Sequence, residues 1–173
     1  MEQLATALEG VHSALGDLLV AIDNAAPFWT VPHAPGKWSA AQVAEHVARI
    51  MEESANVAAG LPSKFPTVPF FLRPIGRLLV FRRILRRKSF LKMKTGEGFD
   101  PPAGPATTVQ ARARLIGALK RFEDACRSRA EAGQKVQSTI FGPVSVVDFA
   151  RFQELHVRHH VPQIHAPDSP ASN

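Results

Sequence analysis

The sequence predicts an all-α protein, and three observations carry that reading. Apolar residues recur at spacings of three and four through several long segments. Side-chain helix-start signals stand immediately before three of those segments. No stretch alternates apolar and polar residues with period two. With 173 residues, 45% of them hydrophobic, the chain suits one domain with an ordinary core. It predicts one helical unit over residues 1–166 and a disordered tail over 167–173, where Pro, Asp, Ser and Asn dominate.

The first helix is predicted over residues 2–23, where Leu4, Leu8, Val11, Leu15, Leu18 and Ile22 form one apolar stripe with His12 beside it. Pro27, Pro32, Pro35 and Gly36 make residues 24–37 a loop. Ser39 followed by Gln42 is a capping box, with Trp38 and Val43 placed as a hydrophobic staple. The second helix should run from Ala40 to Ala59 and close at Gly60. Its inward face carries Val43, Val47, Ile50, Ser54 and Val57, and His46 shares that face. The Pro-rich stretch from Leu61 to Pro74 should be irregular. A basic amphipathic helix is predicted from Ile75 to Leu91, with Leu78, Leu79, Ile84 and Leu85 apolar.

Met93 to Pro105 is rich in Gly and Pro and reads as a long loop. Thr107 with Gln110 offers another capping box, opening a helix over residues 108–132 that turns Leu115, Leu119, Phe122 and Cys126 inward. Cys126, the single cysteine, reads as a small buried hydrophobe. Residues 137–144 are extended, with a turn placed at Gly142–Pro143. Ser145 with Asp148 then caps the last long helix, stapled by Val144 and Phe149.

Composition narrows the function classes. One cysteine excludes an internal disulfide framework and a Cys-rich zinc module. The acidic start MEQLATALEG predicts no secretory signal, and the apolar stretch from Phe65 to Phe81 carries Arg73, Arg77 and three prolines, so no membrane span is expected. The expectation is a cytoplasmic protein. The formal charge is +6, and nine cations fall between Arg73 and Lys94 with no acid among them. Such a cluster suits a solvated helix face, a subunit contact, or a surface for phosphate, anionic lipid or an acidic substrate. It has no aromatic interleaving for stacking bases and no nucleic-acid motif, so no nucleic-acid partner is predicted.

Four of the seven histidines lie between His156 and His165. On a helical wheel with Phe149 at zero, His156 falls at about −20° and His160 at about +20°, central to the buried face. Arg151, Glu154 and Arg158 fall opposite, His159 on the edge, and His165 outward. A buried, unpaired polar ring costs on the order of 1–3 kcal/mol. Neutral imidazole is also the commonest metal ligand, and residues four apart on a helix can converge on one ion. His46, inward on a separate helix, is available as a third ligand; the alternative is a set of core histidines satisfied by hydrogen bonds. Three neutral ligands leave open positions where water would be acidified.

Two segments resemble a known family. Gly36-Lys37-Trp38-Ser39-Ala40-Ala41-Gln42-Val43-Ala44-Glu45-His46-Val47 resembles the second-helix signature of the DinB/YfiT-like superfamily of metal-binding four-helix bundles. His156-Val157-Arg158-His159-His160-Val161-Pro162-Gln163-Ile164 resembles its last-helix H-x-x-H-H motif. Phe141-Gly142-Pro143-Val144-Ser145, with the proline-broken basic middle, is similar to an uncharacterised branch. The layout matches over residues 1–165, with the first two motifs specific. The resemblance implies an up-down four-helix bundle, here with an additional basic helix and long Pro/Gly-rich loops. It implies one divalent ion, zinc or nickel, held by His46, His156 and His160 with water completing the shell. His159 is not a ligand in that pattern. Relatives include transferases that use low-molecular-weight thiols such as bacillithiol or mycothiol, as well as metal-dependent hydrolases and isomerases, and homodimers are frequent. Pro162 departs from the pattern and should end or kink the helix just past His160.

The expected function is therefore a metal-dependent enzyme that activates water or a low-molecular-weight thiol toward a small-molecule substrate, as a thiol transferase or hydrolase. Glu53, seven residues beyond His46, is the candidate general base or outer partner, and equally a solvated carboxylate. The alternatives are a non-catalytic, metal-stabilised bundle acting as a binding protein, closed by a fourth ligand such as Glu53, and a metal-free binding module.

Overall fold

The computed structural model describes residues 1–90 and 99–166. Among these the chain is predominantly helical, with one two-stranded sheet. Lys92 and Lys94, the end of the predicted basic helix, the first part of the 93–105 loop and the 167–173 tail lie outside the described residues.

Helix α1 spans Glu2–Asn24 and buries the six predicted stripe residues together with Ala7 and Ala14. By length and composition α1 is apolar enough to cross a membrane; here its stripe is packed into the core. His12 stays on the surface, its Nε2 2.9 Å from Glu123. Helix α2 spans Ala40–Ala59 and begins with the expected reciprocal cap. The Ser39 amide donates to Gln42 Oε1 at 3.0 Å, and the Gln42 amide donates to Ser39 Oγ at 3.3 Å. It ends at Gly60, whose φ of 76° a side chain would strain.

The predicted basic helix is broken into three. Helix α3 spans Arg73–Gly76, a π turn follows over Arg77–Phe81, and helix α4 spans Arg82–Arg87. The wider turn shifts the phase of the residues that follow. Phe81 and Ile84 turn inward, while Leu78 and Leu79 stay exposed.

Helix α5 spans Thr108–Glu131 and buries Leu115, Leu119, Phe122 and Cys126 as expected. Its capping box is half formed. The Gln110 amide donates to Thr107 Oγ1, but Gln110 Oε1 accepts from the Ala106 amide instead of the Thr107 amide. Strands β1 (Val136–Ser138) and β2 (Gly142–Val144) pair antiparallel, Val136 opposite Val144. The turn therefore lies at residues 139–141, not at Gly142–Pro143, because Ser138 Oγ accepts from the Ile140 and Phe141 amides and nucleates it there. Helix α6 spans Val146–His160, capped by Ser145 Oγ on the Asp148 amide at 3.0 Å. It stops where Pro162 requires, passing into a 3₁₀ turn over Val161–Gln163.

In the core, α1 packs along α6 and α2 along α5. Helix α2 also touches α6 and β1, so it is buried over most of its circumference, Glu45 and His46 included. Glu45 bridges Arg49 on its own helix and Arg114 on α5, and Arg114 also grips Glu52 with two bonds of 2.9 Å. Burial pushes the Glu45 pKa up, but hydrogen bonds from Arg114 and Arg49 outweigh it and hold the carboxyl below its usual range. This network ties α2 to α5 beside His46.

Candidate metal centre

His46 comes from the second turn of α2, and His156 and His160 come from the last two turns of α6. All three are buried. One ring nitrogen from each lies within 4.8 Å of those of the other two. The ring centroids are 4.7 Å apart for His156 and His160, 4.8 Å for His46 and His160, and 5.4 Å for His46 and His156. The described residues contain no further group of His, Cys, Asp and Glu so arranged, and no fourth such ligand belongs to this one.

Hydrogen bonds decide which nitrogen of each ring faces the cluster. His46 Nδ1 lies 3.0 Å from the Phe99 carbonyl, which only accepts, so Nδ1 carries the proton and Nε2 is bare. Gln163 donates its Nε2 to the His159 carbonyl at 3.2 Å, which turns its Oε1 toward His160 Nδ1 at 3.1 Å. His160 Nε2 is therefore bare as well, and it lies 3.2 Å from His156 Nε2. His156 Nδ1 is buried without a protein partner. Whichever nitrogen of His156 holds the proton, the protein alone leaves a buried ring nitrogen unsatisfied or two lone pairs face to face.

A cation bound through the Nε2 atoms would relieve the facing lone pairs of His156 and His160, while the His156 Nδ1 proton keeps no protein partner. Two nitrogens in a tetrahedral shell, each about 2.0–2.1 Å from one zinc ion, lie about 3.4 Å apart, close to the 3.2 Å found between His156 and His160. The Phe99 and Gln163 contacts give His46 and His160 the kind of outer partner that metal-bound histidines usually have. The three buried imidazoles can thus hold a metal ion.

Electrostatics agrees with neutral ligands. Burial pushes the His46 pKa below its ordinary value, partly countered by the Phe99 carbonyl. Burial and then the neighbouring rings push His156 well below it. His160 is driven down to about 3, again first by burial. None of the three carries a proton charge that would repel a cation near neutral pH.

The trio forms part of the wall of a cavity of about 250 Å³. The rest of the wall is mainly aromatic and aliphatic, with Phe65 stacked on Phe99 and Phe90 packed on Phe152. Phe90 also lies 5.4 Å from His156, and Trp38, expected to staple the helix start, has its ring 4.9 Å from His46. His159 lines the same cavity, the one titratable lining residue beyond the trio among the described residues. Glu53 does not line it. Its carboxylate accepts from the Lys64 amide at 2.8 Å and from Asn56 at 3.3 Å, tying down the loop after α2. The geometry gives Glu53 neither a ligand's nor a base's place.

Three contributors were not singled out from sequence. The Phe99 carbonyl arrives from 53 residues away and carries no sequence signal. Gln163 shares the buried wheel face, but its role depends on the 3₁₀ turn. Gln153, at about +40° on the same wheel, was legible as inward. It is 1% exposed, lines the cavity, accepts from Ser54 Oγ, and leaves its Nε2 without a protein partner.

Cys126 is sealed away from all of this; burial pushes its thiol up to about 12, so it is inert as a nucleophile.

No curated protein and no solved structure matches the chain. A family model described as a protein of unknown function, DUF1569, matches residues 21–166, a span that holds all three histidines and the cavity. With most of its length inside that match, the chain belongs to the DUF1569 family.

Proposed function

We propose that this chain is a metal-dependent enzyme of the DinB/YfiT-like type, in which His46, His156 and His160 hold one divalent ion, zinc or nickel. The pairing of α1 with α6 and of α2 with α5 supports an up-down four-helix bundle, with α3, the π turn and α4 as the added basic segment. The observation that carries the reading is an imidazole trio without a fourth protein ligand, among the described residues, set in the wall of an apolar cavity. A closed structural site would use a fourth ligand; an open one leaves room for an exchangeable group.

Bound there, the ion would supply Lewis acidity, lowering the pKa of bound water toward about 7 or that of a low-molecular-weight thiol. The chain's own residues do the rest. Phe99 and Gln163 hold the Nδ1 protons of His46 and His160 and so present bare Nε2 atoms. Phe65, Phe90, Phe99 and Phe152 make the cavity wall largely apolar and favour an apolar small-molecule substrate. Gln153 Nε2, buried without a protein partner, is a hydrogen-bond donor for that substrate.

Elemental analysis of protein purified without chelators tests the reading, on wild type and His156→Ala. About one zinc or nickel ion per chain is expected for wild type, and close to none for the variant at unchanged helical circular dichroism. Equal metal content in both overturns the site. Thiol-consumption and ester- or amide-cleavage assays on the loaded protein test the catalytic half, which falls if neither activity appears.

A further inference from the structure

Half of the large, exposed apolar side chains among the described residues fall within ten positions: Phe70, Phe71, Leu72, Ile75, Leu78 and Leu79. The others are spread along the rest of the chain. Phe70 is 78% exposed and Phe71 63%, their rings meeting edge to face. This apolar block is held firmly. Arg73 Nε donates to the Val68 carbonyl at 2.7 Å, Arg77 Nη1 donates to the Pro143 carbonyl at 2.8 Å, and the Val68 amide donates to the Thr139 carbonyl at 3.0 Å. The segment is thereby fastened to the β-hairpin with its apolar side chains outward.

Directly after the block come Arg82, Arg83, Arg86, Arg87 and Lys88, all exposed. Among the described residues none of the five has an acidic partner, whereas Arg49, Arg112, Arg114, Arg127 and Arg158 are all paired. These five form a run of exposed cations without an acidic partner among the described residues.

A second copy of the chain is a poor occupant, because a two-fold contact through this face would set cations against cations. Nucleic acid would satisfy the cations but leave a largely aliphatic block uncovered, and the exposed apolar residues and exposed cations here lie in successive blocks. An anionic bilayer presents both chemistries in layers, phosphate outside and hydrocarbon within. We propose that residues 70–88 are a docking surface for anionic lipid, with Phe70, Phe71, Ile75, Leu78 and Leu79 entering the interface and Arg82 to Lys88 meeting headgroup phosphates. The same segment backs the cavity: Phe81 stacks on Phe152 and lies 5.1 Å from Phe141, both lining it. Docking would bring the apolar cavity close to a source of apolar molecules, although the proposal does not depend on the metal.

Co-sedimentation of the full chain tests this, with vesicles of phosphatidylcholine alone and of phosphatidylcholine mixed with phosphatidylglycerol. Binding to the anionic vesicles, weakened by salt and nearly absent on the neutral ones, is expected. Phe70→Ser with Phe71→Ser should lose at least roughly tenfold in partitioning. Arg82→Gln with Arg86→Gln should lose about fivefold per cation. All four positions are exposed, so circular dichroism and metal loading should match wild type. Equal binding to both vesicle types, no binding to either, or an unaffected phenylalanine variant overturns the proposal. So does concentration-dependent self-association without lipid that the phenylalanine variant abolishes, since a second copy would then be the occupant.

Discussion

At the scale of single residues, the site rests on which nitrogen of each imidazole holds its proton. Gln163 illustrates the point. One amide group donates to the His159 carbonyl and accepts from His160, so the His160 ring is oriented by a side chain three residues on. Gln163→Leu removes the acceptor at similar volume. It is expected to weaken zinc or nickel affinity by roughly 10–100-fold while leaving global stability nearly unchanged. Competition against a chromogenic chelator measures the first and urea unfolding the second. A loss of stability with unchanged affinity would assign Gln163 a packing role only. His46 has no comparable handle, because its partner is the Phe99 backbone carbonyl.

At the scale of elements, that carbonyl is placed by how closely the loop before α5 approaches α2. Gln42 Nε2 donates to the Pro101 carbonyl at 3.0 Å, and Trp29 Nε1 donates to the Pro105 carbonyl at 2.7 Å. Gly104 lets the loop lie on α2, since a Cβ there would overlap the Ala41 carbonyl. Gly104→Ala is therefore expected to cost about 1–3 kcal/mol, as overpacking does, and to weaken metal binding by shifting Phe99. Urea midpoint and chelator competition report the two effects, and an unaltered metal affinity would uncouple the loop from the site. The same scale explains where the sequence reading of the basic helix departs from the structure. Its charge pattern was plain, but a single π turn decided that Phe81 and Ile84 face inward and Leu78 and Leu79 outward.

At the scale of the whole molecule, folding buries three imidazoles in their neutral form, and this links stability to pH. His160 titrates at about 3 in the folded chain, and His46 and His156 are also lowered. In the unfolded chain each titrates near 6.5. Between these values the unfolded state binds more protons, so folding stability falls as pH falls. The contribution is complete above about pH 6.5 and is lost progressively toward about pH 3, at about 1.4 kcal/mol per pH unit for His160 once well below its unfolded value. Thermal melts of chelator-treated protein at pH 7.5 and 5 should show the loss, and His160→Gln should reduce it. Zinc or nickel at about 100 times its dissociation constant should add about 2.7 kcal/mol at neutral pH. That gain should disappear as protons compete for the same nitrogens. A pH-independent melting temperature would mean the rings are not buried neutral.

The sequence by itself determined the four long helices, the Ser39 and Ser145 caps and the three imidazole faces, because these are local properties. Apolar period, a Ser–x–x–Gln start, a Gly stop and Pro162 after His160 act within a few residues of one another. Side chains four apart on α6 must share a side whatever lies opposite. Only the tertiary structure decided that α2 meets α6 at the height of His46, and that Phe99 supplies the outer carbonyl. It also decided that Glu53 turns to the Lys64 amide instead of the cavity. Those outcomes depend on contacts between segments far apart in the chain, on the Glu45–Arg114 bridge and the Gly104 approach, which no periodicity encodes.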